Sequence, residues 1–180
     1  MTQVTPGTWN LDASHTEVGF TVRHAGISKV RGTFQAVSGT LTVAEDFARS
    51  SADITVDMQS IDTKDANRDG HLKGEDFFDV EKHPTMTFRS TEVRGFDGEE
   101  FVLVGDLTIL ETTKQVELEV ELGGQTTDPF GTTRVGFEAK TEISRKDFGL
   151  TWNAGLEAGG VLVGDKVKIE IDAELSLIHI

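Results

Sequence analysis

DANRDGHLKGED, Asp65 to Asp76, followed at once by Phe77, Phe78 and Asp79, decides how this chain is to be read. Asp65, Asn67, Asp69 and Gly70 fall on positions 1, 3, 5 and 6 of an EF-hand calcium loop, with Leu72 at the apolar eighth place and Asp76 at the twelfth. Such a loop has to be clamped between two amphipathic helices. Upstream, however, Ala52, Ile54, Val56 and Met58 alternate with Asp53, Thr55 and Asp57, the period of two of a half-buried strand. Asp76 also stands where a longer Glu gives bidentate coordination, and Lys73 puts a positive charge at position 9. A calcium-responsive module on Asp65–Asp76 is therefore the rival reading. The expected structure is a polar helical segment near residues 64–79, in which Asp65 caps a short helix and Gly74 ends it.

Outward from this stretch the period of two recurs. Val18, Phe20, Val22 and His24 oppose Glu17, Gly19, Thr21 and Arg23; Val116, Leu118, Val120 and Leu122 oppose Glu117, Glu119 and Glu121. Val167, Ile169, Ile171, Ala173 and Leu175 alternate with Lys166, Lys168, Glu170, Asp172 and Glu174, a strand wet on one side and dry on the other. Further strands are expected around 8–12, 29–43, 84–93, 100–110 and 132–146, making eight or nine. Asp97–Gly98 and Asp128–Pro129–Phe130–Gly131 read as turns, Gly123–Gly124 as the end of a strand, and the final SLIHI as a frayed departure from the alternation. The fold class is all-β, an antiparallel barrel or sandwich with one helical excursion. Eight strands of about ten residues close into a barrel whose interior is either filled by side chains or holds one small ligand.

Composition narrows the function. The 180 residues form one expected domain, 1–180, with 37% apolar and 27% charged residues. Its 31 acids against 17 Lys and Arg give a net charge of −14, which repels phosphate backbones and anionic membranes at long range, so nucleic acid is excluded as a partner. The absence of cysteine removes thiol nucleophiles, thiolate metal sites and disulfides. The N-terminal MTQVTPGTWNLDASH shows neither a basic leader nor an apolar run, and no long apolar span follows, so no integral membrane segment and a cytoplasmic location are expected.

WNLDASHTEVGFTVRH at the front, then VRGTF, SIDTKDANRDGHLKGEDFFDVEKHPTMTF, GDLTILETTKQVELEV and SRKDFGL appear in an order that resembles the YceI family of lipocalin-like, polyisoprenoid-binding proteins from Trp9 to about Leu177. The resemblance implies an extended eight-stranded antiparallel barrel with a helical segment packed against it and a long apolar pore for an isoprenoid-type lipid. It implies no catalysis, no cofactor other than the bound lipid, a homodimer, and a periplasmic location in relatives that carry a leader. A fatty acid or fatty amide is the alternative cargo.

The residues allow this. Phe20, Val22, Phe34, Ile54 and Phe88, with Leu107, Ile109, Phe137 and Ile143, lie on apolar faces and are the expected pore lining, although plain core packing would place them the same way. Phe77, Phe78, Phe148 and Trp152 are expected at the pore mouth. From Val22 to Ala44 there is no acid, and Arg23, His24, Lys29 and Arg31 lie there; Arg68, His71 and Lys73, and then Arg145 and Lys146, are further candidates for an anionic head group. The competing expectation is an ion pair such as Arg145 with Asp147, or Arg68 with a neighbouring Asp. Asp12, Ser14 and His15 suggest a triad but are too close in one β segment to converge on a substrate, and no GxSxG occurs. GGVLVGDK, Gly159 to Lys166, carries Asp165 where a phosphate loop needs Lys and reads as a gate or hairpin loop. The histidines at 15, 24, 71, 83 and 179 show no metal-ligand spacing, and no chemistry is placed on His179.

Overall fold

The alternating runs fold, in a computed structural model that describes residues 4–157 and 159–179, as antiparallel strands that close on themselves. They are β1 (Gly7–Leu11), β2 (Glu17–His24), β3 (Ser28–Phe34), β4 (Val37–Val43), β5 (Ser51–Asp57), β6 (Ile61–Asp62), β7 (Thr85–Arg94), β8 (Glu100–Ile109), β9 (Thr112–Thr127), β10 (Thr133–Ser144) and β11 (Val163–His179), with one α-helix, α1 (Ala66–Lys73). The hydrogen-bonded ring runs β1-β4-β5-β7-β8-β9-β10-β11 and returns to β1. β2, β3 and β6 prolong β1, β4 and β5 after a break, so the barrel has eight strands. Two of the three breaks are 3₁₀ turns that an aspartate caps: Asp12 accepts from the Ser14 N–H, and Asp57 from the Gln59 N–H.

The two ends of the barrel differ. At one end β1 lies between β4 and β11, Leu11 faces Leu175, and Trp9 is wholly buried. At the other, β6 has two residues and pairs with β3, whereas β7 pairs with β5; the β9–β10 ladder stops at Lys140–Glu119. The wall therefore parts in two places, beside β6 and beyond Lys140. The helical excursion after β6 and the segment after β10 cover them. α1 begins at Asp65, whose carboxylate accepts from the Asn67 and Arg68 N–H groups, and ends at Gly74, as its sequence predicts. Phe78 then turns back so that its N–H meets the Leu72 carbonyl, and its ring lies edge-on to Phe34.

Two sequence expectations are corrected here. Gly123 and Gly124 do not end a strand; they form a bulge opposite Gly136 and Phe137, where the φ of +126° at Gly124 suits glycine, and β9 runs on to Thr127. SLIHI is not frayed as far as His179, because Ser176 and Leu177 pair with Asn10 and Trp9 in the closing ladder. Ile180 lies outside the described residues.

Candidate functional site

The covered end of the barrel holds a cavity of about 100 Å³. β2 contributes Val18, Phe20 and Val22 to its wall, β3 Phe34, and β11 Val163, Val167 and Ile169; Met86, Ile109 and Ile143 come from β7, β8 and β10. The covers add Leu72, Phe77, Phe78 and Leu150, and Arg145 is the one charged lining residue. Phe20 tilts against Phe34 at 5.5 Å. Outside Phe77, the rings of His71 and Trp152 close the cover, with centroids 4.7 Å apart. Strand alternation explains the apolar wall: each of these strands turns every second residue inward.

Of the expected pore residues, Phe20, Val22, Phe34, Phe77, Phe78, Ile109 and Ile143 line this cavity. Ile54, Phe88, Leu107 and Phe137 face the interior elsewhere and belong to the packed core, with Phe148 buried at the β10 turn and Trp152 in the cover. The long open pore implied by the resemblance is thus a short chamber in this structure. Its volume is below the roughly 150 Å³ that admits a benzene ring, and a polyprenyl chain enters only if the interior repacks.

The wall has a feature suited to repacking. Glycines stand against three large inward side chains: the far end of the Phe20 ring lies over Gly32, the end of Ile54 over Gly39, and the far end of the Phe88 ring over Gly105. A Cβ on Gly105 would come within 2.6 Å of the Arg89 carbonyl oxygen and 2.5 Å of the Phe88 ring. Glycine here lets a bulky side chain lie along the wall and leaves the axis less crowded.

The cationic candidates separate clearly. Arg145, 3% exposed, spends four of its five N–H groups on the carbonyls of Gly164 (2.8 Å), Leu150 (2.5 Å), Trp152 (3.0 Å) and Val163 (3.2 Å). It makes no ion pair with Asp147; burial pulls its pKa below the usual guanidinium value, and Asp165 partly restores it. Arg68 likewise bonds Thr63, through its hydroxyl at 2.8 Å and its carbonyl at 2.7 Å, instead of an Asp. His71 pairs with Asp76 at 2.8 Å. Arg23 and His24 stay exposed at the rim, and neither has a carboxylate within 4 Å among the described residues. The missed lining residues are Val18, Leu72, Met86, Leu150, Val163, Val167 and Ile169. Alternation marks Val18, Met86, Val167 and Ile169 as inward, whereas Leu72 and Leu150 lie in cover segments without a period.

The calcium reading fails on geometry. Asp65 is a helix cap, Asp69 accepts from the Thr63 N–H and hydroxyl, and Asp76 holds His71, so the three do not face a common centre. A different set does converge: Asp12, His15 and Glu174 bring ligand atoms within 4.8 Å of one another. Arg134 occupies that space, 2.8 Å from Asp12, 2.9 Å from Asp128 and 3.4 Å from Glu174. Contrary to expectation, the 3₁₀ turn also brings Ser14 to within 3.1 Å of His15. Both Ser14 and Asp12 address the same ring nitrogen, Nδ1, whereas a triad needs one on each.

This cluster carries a pH dependence. The bond with Asp12, and then the Glu174 carboxylate, raises the His15 pKa above its usual 6.5, while the bonds from Ser14 and then His15 hold Asp12 far below the carboxylate range. A raised histidine pKa stabilises the fold fully below about pH 6.5 and less as pH rises through the higher folded value. The thermal midpoint of the wild type should therefore slope downward above pH 6.5, and His15→Gln should flatten that slope. Equal slopes in both proteins would refute the assignment.

A closed eight-stranded antiparallel barrel with a helical cover over an apolar chamber defines a lipocalin-like barrel. The chain belongs to the YceI family: the YceI-like domain matches residues 9–175. Protein YceI of Escherichia coli O157:H7 is 41% identical over 145 residues, 80% of this chain and 75% of that protein. The crystal structure of the Campylobacter jejuni YCEI protein, 31% identical, superposes with a TM-score of 0.74 over 99% of each chain. A polyisoprenoid binding domain from Saccharophagus degradans, implicated in plant cell wall breakdown, shares the fold at a TM-score of 0.73 and 15% identity, covering 94% of this chain and 98% of its own.

Proposed function

We propose that this barrel is a non-catalytic carrier of a long apolar lipid, a polyisoprenoid of the prenyl pyrophosphate or isoprenoid quinone type. The apolar chamber under the helical cover carries this reading, and family membership beside a polyisoprenoid binding domain of the same fold supports it. Uptake draws on the hydrophobic effect: at about 0.8 kcal/mol per methylene, forty carbons would nominally gain some 30 kcal/mol, beyond the ceiling near 20. Opening the interior and ordering the chain consume the difference. The covers, at 63–84 and, among the described residues, at 145–157 and 159–162, are held by side chains and short turns where the β-ladders stop, so they are the segments that yield first. An anionic head would meet Arg23 and His24 at the rim, because Arg145 is committed to backbone carbonyls and Arg68 to the Thr63 hydroxyl and carbonyl. The same reading takes the protein as a homodimer, which light scattering on the eluting peak checks.

Native mass spectrometry of protein purified under mild conditions, followed by extraction, tests the carrier. A retained prenyl mass supports it, and a fatty acid or amide would name the other cargo. Failure to retain any lipid, together with added prenols that neither bind nor raise the melting temperature, would refute it. Gly32→Ala should separate lumen from fold. The new methyl meets the Phe20 ring, a movable side chain, and pushes it toward the chamber. Prenol affinity is expected to fall about tenfold or more while the protein stays folded, with a melting temperature lower by roughly 2–4 °C for about 1 kcal/mol of overpacking; unchanged affinity would place the ligand elsewhere.

A further inference from the structure

The end of the barrel that holds the chamber also carries an outer surface unlike the rest of the molecule. Arg23 lies opposite Lys29, and Thr21 lies between Arg31 and Lys168, so Arg23, Lys29, Arg31 and Lys168 stand on one outer face of β2, β3 and β11, with Lys166 next along β11. All five are exposed, and among the described residues none has a carboxylate within 4 Å. Other cations of the wall are neutralised: Arg89 by Asp53, Arg94 by Glu92 and Glu117, Lys140 by Glu119. The nearest acids include exposed Glu157 in the Val161 loop and Glu170, two residues along β11 from Lys168, as well as Glu142 and Asp165. Glu142 is the cross-strand neighbour of Lys168, and Asp165 is engaged by the Ser144 hydroxyl and the Lys146 N–H.

Two apolar tips project beside these cations. Ile27, at the β2–β3 turn, is 86% exposed, and Val161, in the loop before β11, is 51% exposed. The Ala25 N–H donates to the Leu162 carbonyl at 2.7 Å, which ties the two loops side by side. Immediately inward, Val22 and Val163 line the chamber. At the opposite end Phe130 is 92% exposed, but its neighbours Asp128 and Arg134 neutralise each other.

We infer that this tip docks on an anionic lipid bilayer surface, with Ile27 and Val161 entering the interface and Arg23, Lys29, Arg31, Lys166 and Lys168 against the lipid phosphates. It deepens the carrier reading by giving the place where cargo passes between membrane and barrel. The net charge of −14 repels such a surface at long range but acts weakly at the tip. β11, 17 residues long, spans about 55 Å, several Debye lengths of about 8 Å, so carboxylates toward the far end are screened from a membrane at the tip. Charge alone would give a loose encounter. Adjacent apolar tips supply the second signal that stable interfacial binding requires.

Co-sedimentation of the full chain with phosphatidylcholine vesicles, plain or doped with phosphatidylglycerol, tests this. The protein should pellet with the doped vesicles, less so in raised salt. Lys29→Gln and Arg31→Gln should weaken binding roughly fivefold for each cation removed, and Ile27→Ser roughly tenfold. Prenol binding in solution, measured on the same variants, should be unchanged. If the doped vesicles bind no protein, or bind these variants as well as wild type, the docking surface is refuted whatever the prenol result. A dimer in solution that the same substitutions dissolve would make a second copy the occupant and would equally refute it. Loss of prenol binding in the wild type, by contrast, refutes the carrier and leaves the vesicle result to stand by itself.

Discussion

Arg145→Leu should lower the unfolding free energy by about 3 kcal/mol, a fall of roughly 6–12 °C in thermal midpoint for a chain of this size. Leucine fills part of the volume but donates nothing. Val163 keeps a second donor, the Asn153 side chain at 2.8 Å, whereas the Leu150 and Trp152 carbonyls lose the guanidinium that joins them to the start of β11. Those residues hold the second cover against the barrel, and Leu150 is part of the chamber wall. Arg145→Lys should recover little, because one ammonium cannot reproduce a planar fork that reaches four carbonyls. Chemical denaturation of the three proteins reads the difference; a midpoint for Arg145→Leu equal to wild type would show that the guanidinium is not the tie described.

Trp9→Ala should cost more, about 4 kcal/mol, as expected for a fully buried large aromatic. Trp9 sits in β1 between Leu41 of β4 and Leu177 of β11, where the ring of strands closes, and its indole N–H donates to the Thr5 carbonyl at 3.0 Å. Removing it leaves a void at the seam and an acceptor without its donor. Because this end is remote from the covers, the folded fraction of Trp9→Ala should bind prenol with wild-type affinity, whereas Arg145→Leu should lose affinity with stability. Calorimetric melting beside prenol titration separates the two; equal loss of affinity in both variants would deny that the chamber lies at the covered end.

Most of the fold is legible because most strands are wet on one side. Glu117, Glu119 and Glu121 against Leu118, Val120 and Leu122 leave β9 no other reading, and Asp65 and Gly74 bound α1 by capping chemistry alone. Closure is not legible in the alternation and follows only from the resemblance to the YceI family. It depends on Leu11 meeting Leu175 across nearly the whole chain, a pairing that no local pattern encodes. The site is legible mainly where it is made of strands, with Phe77 and Phe78 beside the helix as the exception. Phe20, Val22, Phe34, Ile109 and Ile143 follow from alternation, but Leu72 and Leu150 depend on where the covers land. Charge counting does not reveal that Arg68 bonds Thr63 or that Arg145 bonds four carbonyls, since such acceptors leave no mark in the sequence. The acid-free run from Val22 to Ala44 was visible; the alignment of Lys166 and Lys168 beside it needed the β2–β11 register. The convergence of Asp12, Ser14 and His15 is not legible because a capped 3₁₀ turn, and not extended chain, joins β1 to β2.

Under the proposed carrier function, the small chamber makes the covers the route of entry. Ladder hydrogen bonds and core packing resist opening along the closed end, whereas the cover over β6 relies on Phe78, Leu72 and one capped helix of eight residues. Local opening there costs less than global unfolding, and it exposes the chamber without breaking the ring.

The most direct test is to observe where a prenyl chain lies. With the methyl groups of valine, leucine and isoleucine labelled, NMR of the protein mixed with an eight-unit polyprenol should give intermolecular contacts to Val18, Ile109, Ile143 and Val167 inside the barrel. Contacts confined to the exposed methyls of Ile27 and Val161, or none at all, would contradict the account.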